Sequence, residues 1–195
     1  MALMLWLPLG LAAQNTWEMT EEKETTTNPD QKYLAGAVPE VDGKVVFHTV
    51  VEAPGKKAAE VFAICKQYLQ KMTKEKNQME QSRIVLDDTL RYQVGGTFTE
   101  WLVFKSSALM LDRTKMTYNL IVRCEDGQAD ITMSRIRYLY EEERNAQRMT
   151  AEEWITDKEG LNKKQTKLAP LSGKFRRKTI DRKDYLFQKF AELLK

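Results

Sequence analysis

Hydrophobic positions recur along this chain with two different periods. From Lys44 the run Lys-Val-Val-Phe-His-Thr-Val-Val-Glu is β-branched and aromatic and stops before Pro54-Gly55, which predicts a strand. Ala58, Val61, Cys65, Tyr68 and Met72, widened by Ile64 and Leu69, then fall at three- and four-residue spacings and predict an amphipathic helix. Beyond a charged segment at 73–81 the period returns to two. Ile84-Val85-Leu86 reads as a short strand and residues 90–104 as a longer one, in which Gly95-Gly96 marks a bulge, a tight turn or a sharp bend. Residues 115–124 alternate Met116, Tyr118, Leu120, Val122 and Cys124 against Thr117, Asn119, Ile121 and Arg123. Asp126-Gly127 supplies a hairpin turn into a strand at 128–140. The apolar set of that strand shifts from Ile131 and Met133 to Ile136, Tyr138 and Tyr140, a change of parity that predicts a bulge near Ser134.

Thr150 followed by Glu153 forms a capping box for a short helix through Trp154 and Ile155 that Gly160 ends. A basic, irregular connection follows. Asp181 is placed to cap a final helix whose Leu186, Phe187, Phe190, Leu193 and Leu194 face one way and dock on the sheet. The order strand, helix, four strands, helix predicts an α+β fold with an antiparallel sheet carrying its helices on one face, because successive strands joined by short turns pair antiparallel.

Four segments follow from this reading. Residues 1–13 are uncharged and almost wholly apolar, too short for the roughly 20 residues of a spanning helix and ending in small residues, as an export signal does. Residues 14–40, with Thr25-Thr26-Thr27 and Asn28-Pro29, read as a flexible lead-in. Residues 41–149 form the α+β domain, and 150–195 the short helix, basic connection and docking helix. No second apolar run approaches membrane length, and Gln14 stands where a lipoprotein would carry Cys. Cys65 and Cys124 lie too far apart for zinc-ribbon or Cys-x-x-Cys spacing. An oxidising compartment permits a disulfide between them, and burial as two free thiols is the other reading.

These residues resemble a family of exported, uncharacterised proteins of Gram-negative gut bacteria, a domain of unknown function with a TATA-binding-protein-like fold. The resemblance runs along nearly the whole chain. It is carried by Leu7-Pro-Leu-Gly-Leu-Ala-Ala-Gln14, by Tyr33-Leu-Ala-Gly-Ala-Val-Pro-Glu-Val-Asp-Gly-Lys-Val-Val-Phe47, and by Ser107-Ala-Leu-Met-Leu-Asp-Arg113. Ser134-Arg-Ile-Arg-Tyr-Leu-Tyr-Glu-Glu-Glu-Arg144, Thr150-Ala-Glu-Glu-Trp-Ile-Thr-Asp-Lys158 and Gly173-Lys-Phe-Arg-Arg-Lys-Thr-Ile-Asp181 carry it further. The resemblance implies a TBP-like β-α-β4-α fold and a periplasmic or envelope address. It supplies no activity and no catalytic residues, and a shared fold does not imply DNA binding.

Candidate chemistry is sparse. His48 is the only histidine, so a two-histidine metal site is excluded, and its place inside a strand argues against a catalytic base. No nucleophile elbow, phosphate-binding glycine loop or calcium loop is present. Asp87-Asp88 and Glu141-Glu142-Glu143 are adjacent acids of the kind that decorate turns, not carboxylates facing across a cleft. No catalytic residue, cofactor or metal ligand is assigned.

Two surfaces remain. Residues 161–183 hold nine Lys and Arg, among them Lys174, Arg176, Arg177 and Lys178, against Asp181 alone. This segment either recruits an anionic partner such as a polysaccharide, lipopolysaccharide or nucleic acid, or lies against the protein's own acids at Glu141–Glu143 and Glu152-Glu153. The second reading is preferred, since surface charge runs are commonly paired or solvated. The other surface is the sheet face away from the helices, where Trp101 and Ile121 flanked by Asn119 and Arg123 would make a platform. The competing and slightly preferred reading has Trp154, Leu168 or Phe175 covering that face. With one aromatic among the basic residues, Phe175, a stacking platform for single-stranded nucleic acid is thin. The sequence therefore predicts an exported, non-enzymatic binding protein of the cell envelope that engages an unidentified protein or anionic component. An enzyme with an unrecognised carboxylate site, and a binder of anionic polymer through 161–183, are the alternatives.

Overall fold

A computed structural model describes residues 28–107, 110–141 and 145–195, with the side chains of Ser107 and Met110 left aside. The apolar start and the first half of the lead-in lie outside the described residues. The elements in chain order are β1 (Glu40–Val41), β2 (Lys44–Glu52), α1 (Ala58–Met72), β3 (Arg83–Asp88), β4 (Gln93–Ser107), β5 (Met110–Glu125), β6 (Gln128–Tyr140), β7 (Gln147–Thr150), α2 (Ala151–Trp154), α3 (Asp157–Gly160) and α4 (Gly173–Leu193). The seven strands make one antiparallel sheet in the order β1-β2-β6-β5-β4-β3. β7 pairs with the part of β6 that β2 leaves free.

α1 and α4 lie on one face. Val61, Cys65, Leu69 and Met72 of α1 and Ile180, Leu186 and Phe190 of α4 are buried against Val45, Phe47, Phe98, Leu102, Tyr118, Leu120, Val122, Ile131 and Met133. The two helices touch through Tyr68 and Phe190, edge to face at 5.1 Å. Among the described residues no helix is long and apolar enough to cross a membrane.

The parity change in β6 is a bulge. Thr117 pairs with Arg137 but Asn119 pairs with Ser134, so two β6 residues oppose Tyr118, and Arg135 takes a φ of 54°. Burial accordingly moves from Ala129, Ile131 and Met133 to Ile136 and Tyr138. At Gly95-Gly96 the bulge sits on the partner strand, β3, where the register shifts between Ile84 and Leu86. A Cβ on Gly96 would stand 2.7 Å from the ring of Phe98, itself fully buried and stacked on Tyr118. Gly96→Ala is therefore expected to destabilise the fold by about 1–3 kcal/mol through overpacking, measured by the urea midpoint.

Three expectations need correction. α4 begins at Gly173, not near Asp181. Residues read as an irregular basic connection are helical because Phe175, Arg176, Thr179, Ile180 and Arg182 are buried at helical spacing. Two of those core positions are arginines, which hid the stripe from a hydropathy reading. Asp181 consequently lies inside the helix, accepting from the Tyr33 hydroxyl at 2.7 Å and from Lys32 at 2.9 Å. Burial first, and then Asp181 against the influence of Lys32, pushes the Tyr33 hydroxyl up to about 12. The lead-in is also packed from at least Tyr33, which is buried with Val38 beneath a 3-10 turn at Gln31–Tyr33. The short helix is two, α2 and α3, with the capping box of Thr150 and Glu153 in place on α2. Cys65 and Cys124 are free and buried, and the Cys65 thiol is pushed up by its hydrogen bond to Cys124 and then by burial.

Candidate binding face

The face turned away from α1 and α4 follows from alternation, since directly opposed residues of an antiparallel sheet share a side. Thr97, Asn119 and Ser134 stand abreast across β4, β5 and β6, then Thr99, Thr117 and Arg137, then Trp101, Lys115 and Leu139. β7 extends the last two rows with Thr150 and Arg148. In the other direction come Gly95, Ile121, Thr132 and His48, then Gln93, Arg123, Asp130 and Val50, and at the hairpin end Glu125, Gln128 and Glu52.

This face is not covered by the 150–178 segment. Trp154 and Phe175 lie on the helix side, edge to face at 5.9 Å, with Phe175 packed against Phe104 at 4.6 Å and Tyr138 at 5.3 Å. The physical reason is that α4 starts early enough to carry Phe175 into the core.

The four residues expected to form one platform do not adjoin. Asn119, Ile121 and Arg123 do line β5 on the open face, with Asn119 accepting from the Thr97 hydroxyl at 3.0 Å. Trp101, however, is opposite Lys115, six residues from Ile121, or about 20 Å along a strand. Its ring instead lies under the Arg113 guanidinium at 3.7 Å, with the Lys115 ammonium 5.4 Å from its centroid.

Charge along the face is polarised. Asp130, Glu125 and Glu52 gather around Arg123 at the hairpin end, where His48 Nε2 meets Asp130 at 3.1 Å. At the other end stand Arg113, Lys115, Arg137 and Arg148. A shallow concavity of about 400 Å³ lies there. Its floor is the hydroxyl pair of Thr99 and Thr117, 3.0 Å apart, and Lys115, Arg137, Arg148, Gln81 and Thr150 surround it. No carboxylate lines it. Arg137 and Arg148 are exposed, and neither has an ion-pair partner among the described residues. Lys115, Arg137 and Arg148 escaped the sequence reading, although strand alternation marks Lys115 and Arg137; Arg148 lies on β7, which no period in the sequence announced. Their convergence needed the β6 bulge, which puts Arg137 and not Ile136 in the row of Thr99 and Thr117.

The basic segment is divided. Lys174 donates to Asp112 at 2.7 Å and to the Tyr140 hydroxyl at 3.0 Å, between the rings of Phe104 and Tyr140. Arg176 is fully buried, Arg177 is paired with Asp30, and Lys178 is half-buried. Arg182 is fully buried against Glu100. These cations do meet the protein's own acids, but the acids are Asp30, Asp112, Asp157 and Glu100. Glu152 instead accepts from the Val45 backbone and Glu153 caps α2, while Glu142 and Glu143 lie outside the described residues. Lys163, Lys164 and Lys167 remain exposed.

The other candidate acids are engaged elsewhere. Asp87 meets Lys66 of α1 at 2.7 Å, and Asp88 accepts from the Leu90 and Arg91 backbone. Glu100 is buried and accepts from the Tyr118 hydroxyl at 2.7 Å, Arg182 Nε at 2.8 Å and Asn77 at 2.9 Å. Among the described residues no group of three or more His, Cys, Asp or Glu could hold a metal ion.

An antiparallel sheet with helices on one face and the other face open defines an α+β protein of TBP-like fold. The family model described as a domain of unknown function (DUF4468) with TBP-like fold matches residues 47–139. A solved DUF4468 family protein from Bacteroides ovatus is 41% identical, with a TM-score of 0.80, over 86% of this chain and 95% of its own. The chain belongs to the DUF4468 family. A TBP-like protein from Parabacteroides distasonis, 19% identical with a TM-score of 0.64 over 80% of this chain and 96% of its own, shares the fold. No curated protein matches the chain.

Proposed function

We propose that this chain is an exported, non-enzymatic binding protein of the cell envelope, and that the basic end of its open sheet face holds an acidic polysaccharide. The observation that carries the reading is the concavity with Lys115, Arg137 and Arg148 around a floor of threonine hydroxyls and no carboxylate in its lining. Cations suit carboxylate or sulfate groups, and the hydroxyls and the Gln81 amide suit a hydroxyl-rich ligand. Its volume is in the range of small-ligand sites. A single tryptophan, already stacked under Arg113, is poor support for successive nucleic-acid bases. Export is supported by the apolar residues 1–13, and cell fractionation tests it.

The binding test is titration calorimetry of the purified protein with polygalacturonate and with heparin as probes. Arg137→Gln with Arg148→Gln is expected to weaken binding by at least roughly tenfold per arginine, the scale of a hydrogen bond to a charged group. Changing Lys163, Lys164 and Lys167 to Gln is expected to leave it unaltered. If the lysine variant loses affinity and the arginine variant does not, the open face is not the site.

A further inference from the structure

β2 is a free edge over its second half. β1 pairs with it only at Lys44 and Val45, and the Val46 N–H donates outward to the Pro39 carbonyl. The Ala53 N–H donates in the opposite direction, to Gly127 in the β5–β6 turn. Backbone groups alternate along an antiparallel strand, so Phe47, Thr49 and Val51 address β6 while His48, Val50 and Glu52 aim their N–H and C=O groups away from the sheet. Among the described residues no strand lies beside these three. The open stretch is bounded by Pro39 at one end and Pro54 at the other. Val50 at its centre is 45% exposed.

An unpaired edge of this kind is a template for another strand. We propose that two copies of this chain pair antiparallel along β2 about a two-fold axis at Val50. This register sets Val50 against Val50 and His48 against Glu52 of the second copy, twice, so imidazole meets carboxylate at both ends and the exposed valines cover each other. It engages all three outward residues of both copies. A shift toward His48 meets Val46, already bonded to Pro39, and a shift toward Glu52 meets Pro54, which has no N–H. On the helix side, Thr49 and Val51 of each copy would stand beside the groove between β2 and α4, which Phe187 and Ala191 line. Because opposed residues share a face, the joined sheet presents both open faces on the same side. One polymer could then engage two basic concavities, and linked sites bind more tightly than either alone.

Sedimentation velocity of the purified protein at its highest soluble concentration is expected to give a dimer, and Val50→Lys and Val50→Pro to give monomers with unchanged circular dichroism. The proline removes only an outward N–H, so the β2–β6 ladder stays whole. If Val50→Pro does not fold, Val50→Lys decides. The register is read by cross-linking with oxidised glutathione as electron acceptor. Val50→Cys places two thiols on residues whose Cα atoms are about 5.5 Å apart in a hydrogen-bonded pair, within disulfide reach. His48→Cys places them four pairs apart and is expected to stay reduced. A monomeric unmodified chain, or His48→Cys linking as fast as Val50→Cys, would overturn the proposal. Neither outcome bears on polysaccharide binding by the monomer, which the calorimetry reads separately.

Discussion

Arg182→Leu is expected to lower the unfolding free energy by about 3–5 kcal/mol, the cost of leaving a buried charge without its partner. Arg182 and Glu100 are both fully buried, and Nε donates to the carboxylate at 2.8 Å. The same carboxylate accepts from Tyr118 and Asn77, so one acid joins β4, β5, α4 and the turn after α1. Burial pushes the Tyr118 hydroxyl well above its ordinary range, with Arg182 opposing and Glu100 adding to the shift. The hydroxyl therefore stays a donor to Glu100 at any ordinary pH. Leucine fills much of the arginine's space but strands the carboxylate. Against the ~5–15 kcal/mol of a typical domain, that loss should show as a large fall in the urea midpoint. The double change Glu100→Met with Arg182→Leu should recover part of it, because replacing a buried pair with apolar groups is often neutral while the Tyr118 hydroxyl and the Asn77 amide lose their acceptor. Equal instability of the single and double variants would mean that packing, not the ion pair, carries the cost.

Arg176→Met should cost at least about 3 kcal/mol, since several buried acceptors lose a charged donor together. The guanidinium donates to the carbonyls of Tyr33, Leu34 and Ile155 and to Asp157, at 2.6 to 2.7 Å. Burial works against its charge and Asp157 works for it. The fork geometry matters, because lysine has one nitrogen where arginine uses three. Arg176→Lys should therefore rescue little. Hydrogen exchange is the more selective measurement: protection at Tyr33 and Ala37, whose amides donate to Asp30 and Leu34, should fall well before that of β5. Uniform loss across the sheet would show that Arg176 supports the whole fold and not the attachment of the segment before β1.

Both residues belonged to the basic run that the sequence offered either as a docking surface or, as the preferred reading, as the partner of the protein's own acids. Arg176 and Arg182 are opposite in kind to Lys163, Lys164 and Lys167, though all five sit in one charged stretch. A linear reading counts charges, whereas their meaning depends on which acids and carbonyls the fold brings within reach. Asp30, Asp157 and Glu100 are distant in sequence from the arginines they meet, and no local period signals them.

The open face was more legible. Alternation along β5 put Asn119, Ile121 and Arg123 on the side away from the core, and the parity change in β6 announced its bulge. Such features are local: side-chain direction in a strand follows from the pleat, and a displaced apolar set requires an extra residue. Trp101 was correctly set on that face but given the wrong neighbours, because strand register places it beside Arg113 and Lys115, about 20 Å from Ile121.

Amphipathic periods, turn residues and family motifs were thus enough for the central order β2-α1-β3-β4-β5-β6-α4, the α+β class and the strand positions that point away from the helices, since each is written within a few residues; they did not announce β1 or β7, nor that the far face stays uncovered. Long-range pairing settled the rest. It brought Arg137 and Arg148 to the Thr99–Thr117 floor, folded Arg176 and Arg182 into the core, and left β2 exposed from His48 to Glu52. Register and buried charge pairs depend on groups that meet only after the chain has closed on itself.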